Sequence, residues 1–160
     1  MIDACEIRLA MLPDAERIAV MSRDFIEHGL GWNWDAARVA RRIRQRETNV
    51  VVAESGGELV GFGLMQYLDD QAHLLLFGVE PLYRRLRIGS GLLEWLETCA
   101  TTAGIELIFL ESRVTNLAAR GFYAAHGYRE LAVMPRYYSG REDAIRMGKD
   151  MAVTAIGGVR

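Results

Sequence analysis

Apolar and polar residues alternate over residues 4 to 10, the two-residue period of a half-buried strand. Pro13 and Asp14 then open a helix in which Ile18, Met21, Phe25 and Ile26 share one face, and Gly29 and Gly31 end it. The spacing predicts a second helix from Trp34 to Arg46, capped by Asn33, with Ala36, Val39, Ala40 and Ile43 buried and its arginines outward. A β-branched run from Asn49 to Glu54, the turn Ser55-Gly56-Gly57-Glu58 and a strand from Leu59 to Tyr67 make a hairpin. Asp69-Asp70 turns the chain into a strand from Ala72 to Val79. A helix from Gly89 to Ala103 follows, with Leu92, Leu93, Leu96, Cys99 and Ala103 inward and Gly104 closing it. Ile105 to Ser112 reads as a strand, Asn116 to His126 as a helix stopped by Gly127, and Tyr128 to Val133 with Asp143 to Lys149 as a last strand pair.

The strand, helix, strand passage from 72 to 112 requires a parallel crossover, and the hairpins require antiparallel neighbours. The expected fold class is therefore α/β, a mixed central sheet of about seven strands with helices on both faces. With no repeat, low-complexity tract or linker, residues 1–160 are expected to be one domain.

Composition narrows the function. A net charge of −2 offers no global field for nucleic acid, and the longest apolar run, Leu74 to Val79, is far shorter than the about 18 residues of a membrane span. Cys5 and Cys99 match no metal spacing and suggest reduced thiols in a cytoplasmic protein. The scattered histidines His28, His73 and His126 suggest no metal site either. The arginine cluster Arg38, Arg41, Arg42, Arg44 and Arg46 lacks interleaved aromatics and reads as a solvated face.

The most informative stretch is Val79 to Leu93, which joins a strand to a helix. Gly89 and Gly91 permit close backbone approach, the helix start supplies amide donors and a positive dipole end, and Arg84, Arg85 and Arg87 supply countercharge. Alone, this spacing fits either a turn beside solvated arginines or an anion site. The segment Arg84-Arg85-Leu86-Arg87-Ile88-Gly89, however, resembles the pyrophosphate signature of the GNAT acyltransferase superfamily: Arg or Gln, two residues, Gly, one residue, then Gly or Ala. It departs from that pattern at Arg87, which replaces the middle glycine. The segment Asn116-Leu117-Ala118-Ala119-Arg120-Gly121-Phe122-Tyr123-Ala124-Ala125-His126-Gly127-Tyr128 resembles a second signature of the same superfamily, in the right order.

The resemblance implies a GNAT fold, acetyl-CoA as co-substrate with no metal, and direct transfer to a primary amine. It places the coenzyme on Phe77, Val79, Arg84, Arg85, Leu86, Arg87, Ile88, Gly89, Ser90, Gly91, Asn116 and Tyr123. The backbone amide of Phe77, left free by a bulge in the family, would polarise the acetyl carbonyl, and Tyr123 would protonate the departing sulfur. Read alone, Tyr123 fits an aromatic on a buried helix face better than a proton donor, and Asn116 is more often a helix cap. Glu111, within Leu110-Glu111-Ser112-Arg113-Val114-Thr115-Asn116, matches the segment of N-terminal protein acetyltransferases in which a glutamate is the base, with His73 in reserve. The run from Pro135 to Met147 resembles bacterial ribosomal-protein acetyltransferases, which implies that Tyr137 and Tyr138 contact the acceptor. Trp32 and Trp34 lie in a glycine-flanked loop that shapes the acceptor pocket in related enzymes, or else cover the edge of the core. The expected acceptor is a protein N-terminus. The alternatives are a small amine such as an amino acid, polyamine or aminoglycoside, and a non-catalytic acyl-CoA sensor. No nucleic-acid or membrane partner is expected, and monomer and homodimer stay open.

Overall fold

A computed structural model describes residues 5–84 and 86–151; residue 4 of the first expected strand and Arg85 lie outside them. A seven-stranded mixed sheet runs in the order β1-β2-β3-β4-β5-β7-β6. Its strands are β1 (Glu6–Leu9), β2 (Thr48–Ser55), β3 (Glu58–Tyr67), β4 (Gln71–Val79), β5 (Leu107–Arg113), β6 (Arg129–Tyr138) and β7 (Glu142–Asp150). The helices are α1 (Ala15–Met21), α2 (Ala36–Arg44), α3 (Ile88–Thr102) and α4 (Leu117–Ala125). Only β4 with β5 is parallel among the registered pairs, as the helical crossover between them requires. The chain divides into two compact units, changing over at Gln66/Tyr67, Leu74/Leu75 and Thr98/Cys99.

In the first unit, β2 and β3 are buried along nearly their whole length, the mark of strands covered on both faces. Gly56 and Gly57 both hold positive φ (58° and 82°), so only a turn of this composition closes their hairpin tightly. Alternation along β3 sorts the two covers. Phe62 and Leu64 join Ile18, Met21, Trp34 and Val39 in one fully buried cluster with α1 and α2. Gly61 and Gly63 face α3 so closely that an added Cβ would lie 3.0 Å from Leu92 Cδ1 and 2.8 Å from Leu96 Cδ1. Burying a side chain such as Phe62 or Leu92 contributes about 2–3 kcal/mol.

Several boundaries differ from the sequence expectation. The first helix does not run on as α-helix to Ile26: Ser22–Ile26 forms a π-turn, which leaves Phe25 and Ile26 only partly buried. Helix α2 is capped by Asp35, whose carboxylate accepts from the Arg38 amide at 2.9 Å, and not by Asn33. It stops at Arg44 because Gln45 is extended. On α3, Ala103 lies beyond the helix and is exposed, and Ala100 takes the buried position instead.

In the second unit, β5 alternates strictly: Ile108, Leu110 and Ser112 are buried, while Leu107, Phe109, Glu111 and Arg113 occupy the other face. β6 is an edge strand, which is why it continues through Pro135 to Tyr138 and does not end at Val133. Its register shifts between Met134 and Tyr138, around Arg136 at φ 52°, and this bulge presents Tyr137.

Candidate active site

In the first unit, β4 delivers the chain at Val79 into a short 3-10 turn, Pro81–Tyr83, and then into the start of α3. The loop is tied down: the Glu80 amide donates to Val60 O at 2.8 Å, and Arg84 Nε donates to Val79 O at 3.2 Å. Arg87 holds φ 66°, the left-handed conformation that glycine adopts without cost. The glycine position of the signature therefore has the glycine geometry, occupied here by an exposed arginine. The Arg87 carbonyl accepts the first helical bond, from the Gly91 amide at 3.0 Å. That bond engages the Gly91 N–H, and a Cβ at Gly91 would lie 3.0 Å from Ile7 Cδ1. An anion at this helix end would draw on the amides of Ile88 and Gly89. Ser90 is half-buried in the same turn, Leu86 is exposed, and Phe77 is half-buried on β4.

The loop before α2 is shaped by Glu27, a buried carboxylate. Its oxygens accept from Ser22 Oγ at 3.0 Å, the Asn33 amide at 2.7 Å and the Trp34 amide at 3.2 Å. Trp34 is 8% exposed and belongs to the core, with Arg38 stacked over its ring at 3.9 Å. Trp32 is 46% exposed, and its Nε1 donates to Ala19 O at 3.2 Å. Of the two tryptophans, only Trp32 offers a surface to an acceptor.

The second unit gathers a cluster that the sequence order conceals. The Glu111 side chain is only 4% exposed, yet it accepts three hydrogen bonds. His73 Nε2 stands 2.6 Å from Oε1, Tyr137 Oη donates to Oε1 at 3.0 Å, and Arg146 Nε donates to Oε2 at 2.7 Å. The sheet explains the meeting. His73 on β4 pairs with Phe109 on β5, Glu111 lies two residues further on the same face, and Arg146 is its cross-strand partner on β7. His73 also stacks on Phe109, centroids 4.3 Å apart. Burial pushes the Glu111 carboxyl up, but the bonds from His73, Arg146 and Tyr137 together outweigh it and leave the group below its ordinary range. Tyr137 is pushed up to about 12 by burial and by the Glu111 charge.

Tyr138 meets Tyr137 edge-on at 5.0 Å and lies under Arg113 at 5.9 Å. Tyr123 is 7% exposed on α4, edge-on to Phe122 and Tyr128, and burial raises its phenol far above neutrality. It is therefore a neutral donor throughout the physiological range. Asn116 caps α4, its Oδ1 accepting from the Ala119 amide at 3.1 Å, so its side-chain oxygen has a structural task. Sequence reasoning had no signal for Arg146 or Glu27, because each gains meaning only from a partner placed by the fold.

Residues 12–128 match the family model described as the acetyltransferase (GNAT) family, and the chain belongs to that family. The ribosomal protein bS18-alanine N-acetyltransferase of Escherichia coli K12 is 32% identical over 117 residues, covering 71% of this chain and 78% of that protein. An N-alpha-acetyltransferase of Sulfurisphaera tokodaii is 29% identical over 154 residues, 88% of this chain and 90% of its own length. The crystal structure of the PaiA N-acetyltransferase of Thermoplasma acidophilum in complex with coenzyme A has the same fold, with a TM-score of 0.77 over 92% of this chain and 99% of that one, at 20% identity. The chain is thus a GNAT N-acetyltransferase, as both sequence signatures implied. No helix among the described residues is long and apolar enough to cross a membrane.

Proposed function

We propose that this enzyme transfers acetyl from acetyl-CoA directly to the α-amine of a protein N-terminus. The observation that carries the reading is the hydrogen-bonded pair of His73 and Glu111 at 2.6 Å, braced by Tyr137. An α-amine with an ordinary pKa near 8 is about 10% neutral at pH 7, whereas a lysine amine is less than about 0.1% neutral. The former therefore asks little of a base, and a histidine–carboxylate pair can meet that demand. The similarity to a ribosomal protein bS18-alanine N-acetyltransferase and to an N-alpha-acetyltransferase supports the same choice.

In this reading the coenzyme pyrophosphate is held by the amides of Ile88 and Gly89, with countercharge from Arg84 and Arg87. Leu86, Val79, Ser90, Gly91 and Asn116 line its path, and the Phe77 backbone polarises the acetyl carbonyl. Glu111 was the expected base, but three donors already occupy its oxygens and its proton affinity is depressed. We therefore assign Glu111 to orient His73. With Nε2–H donated to the carboxylate, the neutral imidazole carries its lone pair on Nδ1 and takes the amine proton, directly or through water. The amine nitrogen attacks the carbonyl carbon, the C–S bond breaks as the tetrahedral intermediate collapses, and Tyr123 gives its proton to the leaving thiolate. Tyr137 and Tyr138 contact the acceptor.

The test is thiol release from acetyl-CoA with a lysine-free peptide whose N-terminus is free or blocked. Release with the free peptide only, lost in His73→Ala and Glu111→Gln, supports the proposal. Equal release with both peptides overturns it.

A further inference from the structure

We infer that Arg146 is a positioning residue for the reaction: its guanidinium holds the Glu111 carboxylate turned so that Oε1 meets both His73 and Tyr137. The inference rests on the base assignment above.

The geometry is specific. Arg146 Nε reaches Glu111 Oε2 at 2.7 Å and is that oxygen's one protein donor among the described residues, while both other donors use Oε1. One oxygen is thus fixed from β7, and the carboxylate cannot rotate without losing a charge-assisted bond. Register enforces the pairing, since Glu111 and Arg146 lie directly opposite one another on β5 and β7. Phe109 adds a common platform: Arg146 lies over its ring at 5.2 Å, and His73 stacks on the same ring at 4.3 Å. The arginine and histidine are therefore referenced to one aromatic as well as to one carboxylate. The groups facing Glu111 are His73 from β4, Tyr137 and Tyr138 from β6 and Arg146 from β7, with Arg113 on its own strand. Arg146 is the permanent cation bonded to Glu111, whereas Arg113, equally charged, is paired with Glu142 at 3.2 Å.

A cross-strand ion pair would serve stability alone equally well, so the test needs a readout that stability does not move. That readout is the displacement between wild type and variant of the acid limb of kcat/KM against pH for one peptide, whose own amine titrates identically in both. Removing the cation favours the protonated form of the pair, so the limb moves to higher pH. For Arg146→Met, with acetyl-CoA and a lysine-free peptide, kcat/KM for the peptide should fall about tenfold. The acid limb should rise by about one pH unit, with the KM for acetyl-CoA nearly unchanged. Arg146→Lys should return the limb toward wild type. Arg146→Gln serves in place of the methionine variant if the latter does not fold. A uniform loss at all pH values with the limb unmoved makes Arg146 structural only and overturns the inference. If Glu111→Gln is slow while the Arg146 variants keep wild-type rates and limb, the positioning role alone fails. If Glu111→Gln is itself as active as wild type, the base assignment has failed first.

Discussion

Arg87 holds a conformation that its side chain makes costly, and replacing it with glycine should stabilise the protein while weakening coenzyme binding. At φ 66° an L-residue loses about 1–2 kcal/mol to contacts of Cβ with the backbone. Glycine removes that penalty but gains freedom in the unfolded chain, which returns about 0.4–1 kcal/mol. The net gain is about 0.5–1 kcal/mol, or about 1–4 °C in Tm for a chain of this length. In the proposed coenzyme site the exposed guanidinium would act as a screened surface charge, so its loss should raise the KM for acetyl-CoA about two- to fivefold. Thermal melts and initial rates for wild type, Arg87→Gly and Arg87→Ala measure both effects. Alanine keeps Cβ and loses the charge, so it should bind coenzyme as weakly as glycine without the gain in Tm. Equal melting of the glycine and alanine variants, or a glycine variant less stable than wild type, would refute the strain argument.

Tyr123→Phe should lower kcat about a hundredfold with little change in the KM for acetyl-CoA, measured by thiol release; unchanged kcat removes Tyr123 from the acid role. Glu27→Ala leaves the buried amide donors of the Trp32–Trp34 loop unmet and should lower stability by about 2–3 kcal/mol in urea unfolding; a change near zero would show that the carboxylate does not organise the loop. Glu111 is more acidic folded than unfolded, so its stabilisation is present above the ordinary carboxyl value of about 4.3 and fades as pH falls through the lower folded value. The gap in urea midpoint between wild type and Glu111→Gln should therefore shrink below about pH 4, and a gap constant from pH 7 to 3 would contradict the network.

Local patterns were legible where one segment decides its own structure. The Ser55–Glu58 turn needed no partner, because two glycines dictate it, and Val39 and Leu96 follow from helical spacing. The cap expected at Asn33 falls to Asp35, because Glu27 draws the Asn33 and Trp34 amides into the loop. Pro135 suggested an ending, but an edge strand tolerates it, and edge position is a property of the sheet order. The same holds for the candidate site. Glu111 and Tyr137 were visible as separate motifs, but their contact depends on β6 returning beside β7, and Arg146 depends on β7 lying between β5 and β6. At Arg87 the sequence showed a departure from the signature, and only the backbone shows that the departing residue keeps the glycine conformation.

The most direct measurement is mass spectrometry of a peptide bearing both a free N-terminus and one internal lysine after incubation with acetyl-CoA and the enzyme, alongside the amount of free thiol produced. One acetyl group on the α-nitrogen for each thiol released, with the lysine unmodified, is the predicted result. Acetylation on lysine alone, or thiol release without any peptide modification, would contradict it.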